Sequence, residues 1–202
     1  MTLDFVRLGE YNVDTDPDCA NSSFCADPFR DYPIRQIIRH EYYNPRTVVN
    51  DIALIRVRKR IKFTSFIRPI CLLRGNLLKR DFADQASLVA GWGICDMNTG
   101  QSSKVLLEVE LPILSQHVCQ AIWGRLNSGQ MCAGGTIGKD SCNGDSGGPL
   151  MRDEQVELDR HWGTHLLGLV SYGPRDCGAR KIPGIYTRVA HYTLWILENM
   201  RG

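Results

Sequence analysis

The stretch Gly138–Leu150, GKDSCNGDSGGPL, decides how the rest of the chain is read. It sets Ser146 among glycines, with Asp140, Asp145 and Cys142 close by. Glycines on both sides permit tight turns and close backbone approach. In such a turn the amides of Gly144 and Ser146 converge on one point, which stabilises an oxyanion. A flexible linker has no reason to hold a cysteine, two acids and a serine among its glycines. The stretch therefore presents a nucleophile, and a serine nucleophile needs a base beside it.

The chain has 202 residues, 43% of them apolar, which suffices for one packed unit of one or two sub-domains. A formal charge of +2 argues for neither nucleic acid nor membrane as a partner. The longest apolar runs, such as Leu166 to Val170, fall far short of the roughly 18 residues of a membrane span.

Eight cysteines occur, with no CxxC and no cysteine pair beside a paired-histidine spacing, so disulfides in an oxidising compartment outrank a metal site. Asn21-Ser22-Ser23 is a glycosylation sequon between Cys19 and Cys25, in keeping with a secreted, extracellular position. Yet the opening MTLDFVRLGEYN has no basic start, no apolar core and no small-residue cleavage site. The expectation is an export signal upstream of Met1.

Short apolar or alternating runs recur at Phe5–Leu8, Ile34–Ile38, Ile52–Val57, Leu88–Trp92, Val105–Leu111, Leu166–Val170 and Gly184–Val189. Gly, Pro, Asn and Asp separate them, which predicts an all-β sandwich or barrel. Val189, Tyr192, Ile196 and Met200 form one apolar stripe, predicting a terminal helix over 189–202. A shorter helix is expected over 115–122, with Ser115 as its N-cap. Arg56–Lys62, RVRKRIK, has five basic residues in seven. It reads as a solvated strand edge or as an exosite for an acidic partner or polysaccharide.

GDSGGPL resembles the nucleophile motif of the chymotrypsin/trypsin family of serine endopeptidases. DIALI (51–55), AGWG (90–93), MCAGG (131–135), SYG (171–173) and PGIYTRV (183–189) resemble further family blocks, in family order. The resemblance implies a two-barrel trypsin-like fold. Residues 1–78 would form an incomplete first barrel and 84–188 the second, followed by the helix of 189–202. It makes Ser146 the nucleophile, Asp51 the carboxylate that orients the histidine, and Gly144 and Ser146 the oxyanion donors. It makes Asp140 the acid at the floor of the specificity pocket and Ser171, Gly173 and Gly184 its walls. A negative floor in an open slot implies protein substrates cleaved after Arg or Lys. Serpin-type inhibitors are the implied antagonists.

The family histidine precedes the aspartate by several tens of residues in a segment like TAAHC. Of five histidines only His40 precedes Asp51, by eleven residues, in what resembles an exposed turn. His117, His161, His165 and His191 match no family position. The chain thus reads as N-terminally truncated. The base, the first strands and the ammonium group that in the family pairs with the counterpart of Asp145 are all expected ahead of Met1. Removing one member of such a triad costs about 10⁶ in kcat, so the chain alone is expected to be inactive.

The resemblance pairs Cys119 with Cys132 and Cys142 with Cys177. Cys19 and Cys25 close a short loop in DPDCANSSFCADP, which resembles an insertion of arthropod clip-domain proteases. Those act in cascades that process Toll-pathway ligands or prophenoloxidase. Cys71 matches the cysteine that tethers a pro-domain, while Cys95 is either a free thiol or the partner of Cys71. Glu10, Asn12, Asp14, Asp16 and Asp18 lie in a loop that binds calcium in some relatives. The alternative is a solvated acidic loop, and no other cofactor is expected. The rival to an enzyme is a non-catalytic homologue that serves as a binding scaffold.

Overall fold

A computed structural model describes residues 3–21, 23–155, 162–178 and 181–200. Two β-layers meet along a seam. In the first, Arg30–Arg39 lies between Phe5–Leu8 and Ala53–Val57, all antiparallel. Ile37 pairs with Ile55, and both side chains stay exposed on the open face of this sheet.

The second layer is a closed barrel. Its strands follow one another as Pro149–Gln155, Ala86–Gly91, Leu107–Leu114, Gln130–Gly134, Pro183–Arg188 and Trp162–Tyr172. Trp162–Tyr172 pairs back onto Pro149–Gln155 and shuts the ring. Closure removes the unpaired edges that an open sheet of this size would present. The interior holds Val89, Leu111, Ile113, Met131, Leu150, Leu167 and Tyr186, all buried.

The expected all-β fold with a C-terminal helix is the observed one. Each of the seven sequence runs contributes to a strand. Two barrel strands, Gln130–Gly134 and Pro149–Gln155, were not among those runs. Cys71–Leu72, inside the 1–78 segment, adds to the second sheet, parallel to His165 and Leu166. The helix Gln116–Trp123 starts where predicted, and the Ser115 hydroxyl accepts the Val118 N–H at 3.3 Å. The terminal segment divides into a 3₁₀ turn, Val189–Tyr192, and an α-helix, Thr193–Met200. Met200, at the end of the predicted stripe, is 62% exposed. Val189, Tyr192 and Ile196 are buried and pack with Ile52, Leu54 and Leu72. That cluster glues the first sheet to the barrel, and the next residue before Ile52 is Asp51.

Disulfides join Cys19 to Cys25, Cys119 to Cys132 and Cys142 to Cys177. Cys71 and Cys95 are free thiols, so the alternative pairing between them is not formed. In the basic stretch, the guanidiniums of Arg56 and Arg58 donate to the carbonyls of Asn199 and Ile34. Arg56 thereby ties the terminal helix to the first sheet.

Candidate active site

Asp51 follows a left-handed bend. Val48 and Asn50 have φ of +51° and +57°, which is costly for a β-branched residue, about 1–3 kcal/mol. The surrounding structure holds the bend in place. Tyr192 Oη donates to Asn50 Oδ1 at 2.9 Å, and Asn50 Nδ2 donates to the Tyr42 carbonyl at 2.8 Å. On the other side, Thr187 Oγ1 donates to the Asp51 carbonyl at 2.7 Å. The Asp51 carboxylate then receives the Ser171 hydroxyl, Ser171 Oγ to Oδ2 at 2.7 Å. Ser171 comes from the barrel, so it bridges the seam as well as lining the pocket. Thr187 and Tyr192 carry no sequence signal for this task beyond their place in or next to the PGIYTRV block.

Ser146 opens onto a cleft whose lining includes Ser141, the Cys142–Cys177 disulfide, Ser171, Tyr172 and Gly173. Asp140 lines the neighbouring cavity, of about 340 Å³, together with Asp145, Gly91 and Gly93. The Cys142–Cys177 disulfide lines both and forms the wall between them. Asp140 Oδ2 accepts the Gly178 N–H at 3.0 Å, while its Oδ1 is buried without a partner among the described residues. Burial pushes the Asp140 carboxyl above its ordinary value, only partly offset by the Gly178 and Ser141 amides. Gly184, expected as a pocket wall, is buried behind Asp140, where a Cβ would stand 3.6 Å from Oδ1, in ordinary contact. Next to Asp140, Ser141 Oγ lies 3.0 Å from Tyr186 Oη. Burial raises the Tyr186 phenol far above its usual value, which keeps it neutral.

The nucleophile loop is organised around Asp145. Its Oδ1 accepts the Gly93 N–H at 2.8 Å and its Oδ2 the Cys142 N–H at 2.9 Å. A Cβ on Gly91 would fall 2.0 Å from Oδ1, and one on Gly93 within 2.6 Å of the carboxylate, so AGWG is the niche for this side chain. Gly144 has φ of +102°, and a Cβ there would meet the Gly93 Cα at 2.8 Å. Gly147 donates to Val170 and Gly148 to Asp145, which fixes the turn. The Gly144 and Ser146 amides donate to no acceptor among the described residues.

Among the described residues no imidazole bonds to Ser146 or Asp51. His40 opens the expected turn, its carbonyl accepting the Tyr43 N–H, but its side chain is only 11% exposed, a correction to the expected surface histidine. Its ring packs against Tyr192 and Trp195, and its Nδ1 accepts the Tyr42 N–H. His165 is buried inside the strand Trp162–Tyr172, not in a polar insertion, with Nδ1 2.8 Å from the Gly163 carbonyl. His117 is exposed on its helix, and His191 stacks edge-on against Tyr192, its pKa lowered by burial. His161 lies outside the described residues, as does Ser22 of the sequon.

The acids of the 10–18 loop are engaged locally. Asp18 accepts the Tyr11 and Asn12 amides and the Thr15 hydroxyl, Asp16 accepts the Phe29 amide, and Asp14 pairs with Lys104. Among the described residues no group of three His, Cys, Asp or Glu side chains is placed to hold a metal ion. No described helix is long and apolar enough to cross a membrane.

Three comparisons bear on this geometry. The CLIP domain-containing serine protease HP8 of Bombyx mori is 42% identical over 98% of this chain and 54% of its own length. The phenoloxidase-activating enzyme of Bombyx mori is 42% identical over 96% of this chain and 47% of its own length. The crystal structure of Drosophila Grass, a clip serine protease of the Toll pathway, superposes with a TM-score of 0.83 at 33% identity, covering 98% of this chain and 57% of that one. The chain spans about half the length of the curated relatives it matches. Residues 26–196 match the Trypsin family model, so the chain belongs to the trypsin family of serine endopeptidases.

Proposed function

We propose that this chain is the main part of the catalytic domain of a protease that cleaves after Arg or Lys in an extracellular cascade. Supporting this is one junction: Ser146 and Ser171 share a cleft, and Ser171 grips Asp51 across the seam. Across the Cys142–Cys177 disulfide from that cleft, Asp140 keeps a buried carboxylate oxygen with no partner among the described residues, a charge that suits a guanidinium or ammonium. Three disulfides fit an oxidising compartment. Protein substrates follow from the names of the relatives, a phenoloxidase-activating enzyme among them. Serpin-type inhibitors and a pro-domain tethered through the free Cys71 belong to the same reading. In it the general base comes from outside the described residues.

The chain by itself then has no measurable turnover of an arginyl or lysyl chromogenic ester. It still binds benzamidine, and Asp140→Asn weakens that binding roughly 10–100-fold. Because burial raises the Asp140 pKa, benzamidine affinity falls as pH drops through that raised value, above the ordinary 3.8. Turnover near that of trypsin, or benzamidine binding indifferent to Asp140, sinks the reading. The scaffold alternative is favoured by one observation, the lack of an imidazole at Ser146 among the described residues. It predicts that the longer protein, once activated, also leaves the ester intact.

A further inference from the structure

We propose that Asn21 carries an N-linked glycan and that its first sugar packs on Phe24. Asn21 ends the strand Cys19–Asn21 of a hairpin whose other arm is Phe24–Cys25. The Cys19–Cys25 disulfide staples the arms together, so the acceptor is held at the surface. Asn21 is exposed, its Oδ1 accepts the Ser23 N–H at 2.9 Å, and its Nδ2 has no partner among the described residues. Ser23 supplies the hydroxyl residue of the sequon.

The register pairs Asn21 with Phe24, and directly opposed residues of a hairpin share one face. Phe24 is 62% exposed there. With Tyr11 and Phe66, also exposed, it lines a mostly apolar cavity of about 430 Å³. A pyranose ring presents a face of C–H groups that packs on an aromatic face as other apolar surface does. A sugar on Asn21 Nδ2 starts beside that ring.

The donor is a lipid-pyrophosphate-linked oligosaccharide of the secretory pathway, so the proposal rests on the extracellular reading above. Asn21 Nδ2 attacks C1 of the first sugar. The N–C1 bond forms, the C1–O bond to phosphate breaks, the amide loses one proton and the lipid pyrophosphate leaves.

The test is secretion of the full chain from insect cells behind a cleavable leader, with a C-terminal tag bearing its own acceptor sequon. Peptide N-glycosidase in heavy-oxygen water is expected to leave a labelled Asp at position 21, and Asn21→Gln and Ser23→Ala both abolish that label. A glycosylated tag beside an unmodified Asn21 overturns the proposal. Secretion with the tag glycosylated but the Cys19–Cys25, Cys119–Cys132 and Cys142–Cys177 bonds unformed counts against the extracellular reading instead. For the packing, deglycosylation lowers Tm by about 2–4 °C in the parent and by less than about 1 °C in Phe24→Ser. Equal losses in both refute the contact with Phe24.

Discussion

Asp145→Asn is the sharpest test of how the Ser146 loop is held. The carboxylate accepts two backbone N–H groups, Gly93 at 2.8 Å and Cys142 at 2.9 Å, one on each oxygen. Asparagine keeps the shape but has one oxygen, so in either orientation an NH₂ faces an N–H. The side chain cannot swing away, because it fills the niche left by Gly91 and Gly93. Leaving a buried donor without its acceptor costs about 1–3 kcal/mol, and the surviving bond loses its charge assistance, for a total of about 2–4 kcal/mol. Unfolded globally, that is a fall in Tm of roughly 4–16 °C for a chain of this size. Unfolded locally, it is a rise of about 30- to 1000-fold in exchange at Gly147 and Gly148, whose amides donate to Val170 and Asp145. Urea unfolding with disulfides intact and native-state hydrogen exchange read the two cases. A variant with an unchanged midpoint and unchanged exchange at both amides refutes the claim that Asp145 organises the loop.

Glu154 is buried between two guanidiniums, with Arg80 Nη1 and Arg152 Nε each 2.6 Å from its carboxylate. Glu154→Gln costs about 1–2 kcal/mol, since the arginines are 39% and 27% exposed and rehydrate. The double variant Arg80→Ala, Arg152→Ala strands a buried carboxylate and costs about 3–5 kcal/mol by thermal unfolding; the reverse order contradicts the placement. Under native conditions a maleimide labels the exposed Cys95 quickly and the half-buried Cys71 slowly. A chain without reactive thiols rules out two free cysteines.

Local features of this chain were legible because local physics sets them. Ser115 caps its helix through a bond to a residue three positions away, and the period-2 runs of the first sheet need no distant partner to be seen. The strand Gln130–Gly134 left no such trace. It is buried on both faces, so its residues do not alternate, and it lacks β-branched side chains. His165 illustrates the same limit: a polar residue in a polar neighbourhood reads as loop until closure of the barrel buries it. The serine loop was recognised as a motif, but the reason for its glycines lies 52 residues away, in the Gly93–Asp145 bond.

The carboxylate of Asp51 belongs to the first sheet only by sequence. Its conformation is imposed from the other side of the seam, by Ser171 on the side chain, Thr187 on its own carbonyl and Tyr192 on Asn50. Those bonds span 120, 136 and 142 residues. They add to the local bonds of the left-handed bend, in which Val48 N–H donates to the Asn44 carbonyl and Asn50 Nδ2 to that of Tyr42. Oδ2 is filled by Ser171, and Oδ1 receives no donor among the described residues. The carboxylate is therefore fixed with one oxygen unengaged among the described residues, which in the proposed reading is the oxygen an imidazole would meet. Loosening the packing of Ile52 against Val189 and Ile196 should displace Asp51 without touching a polar atom of the site.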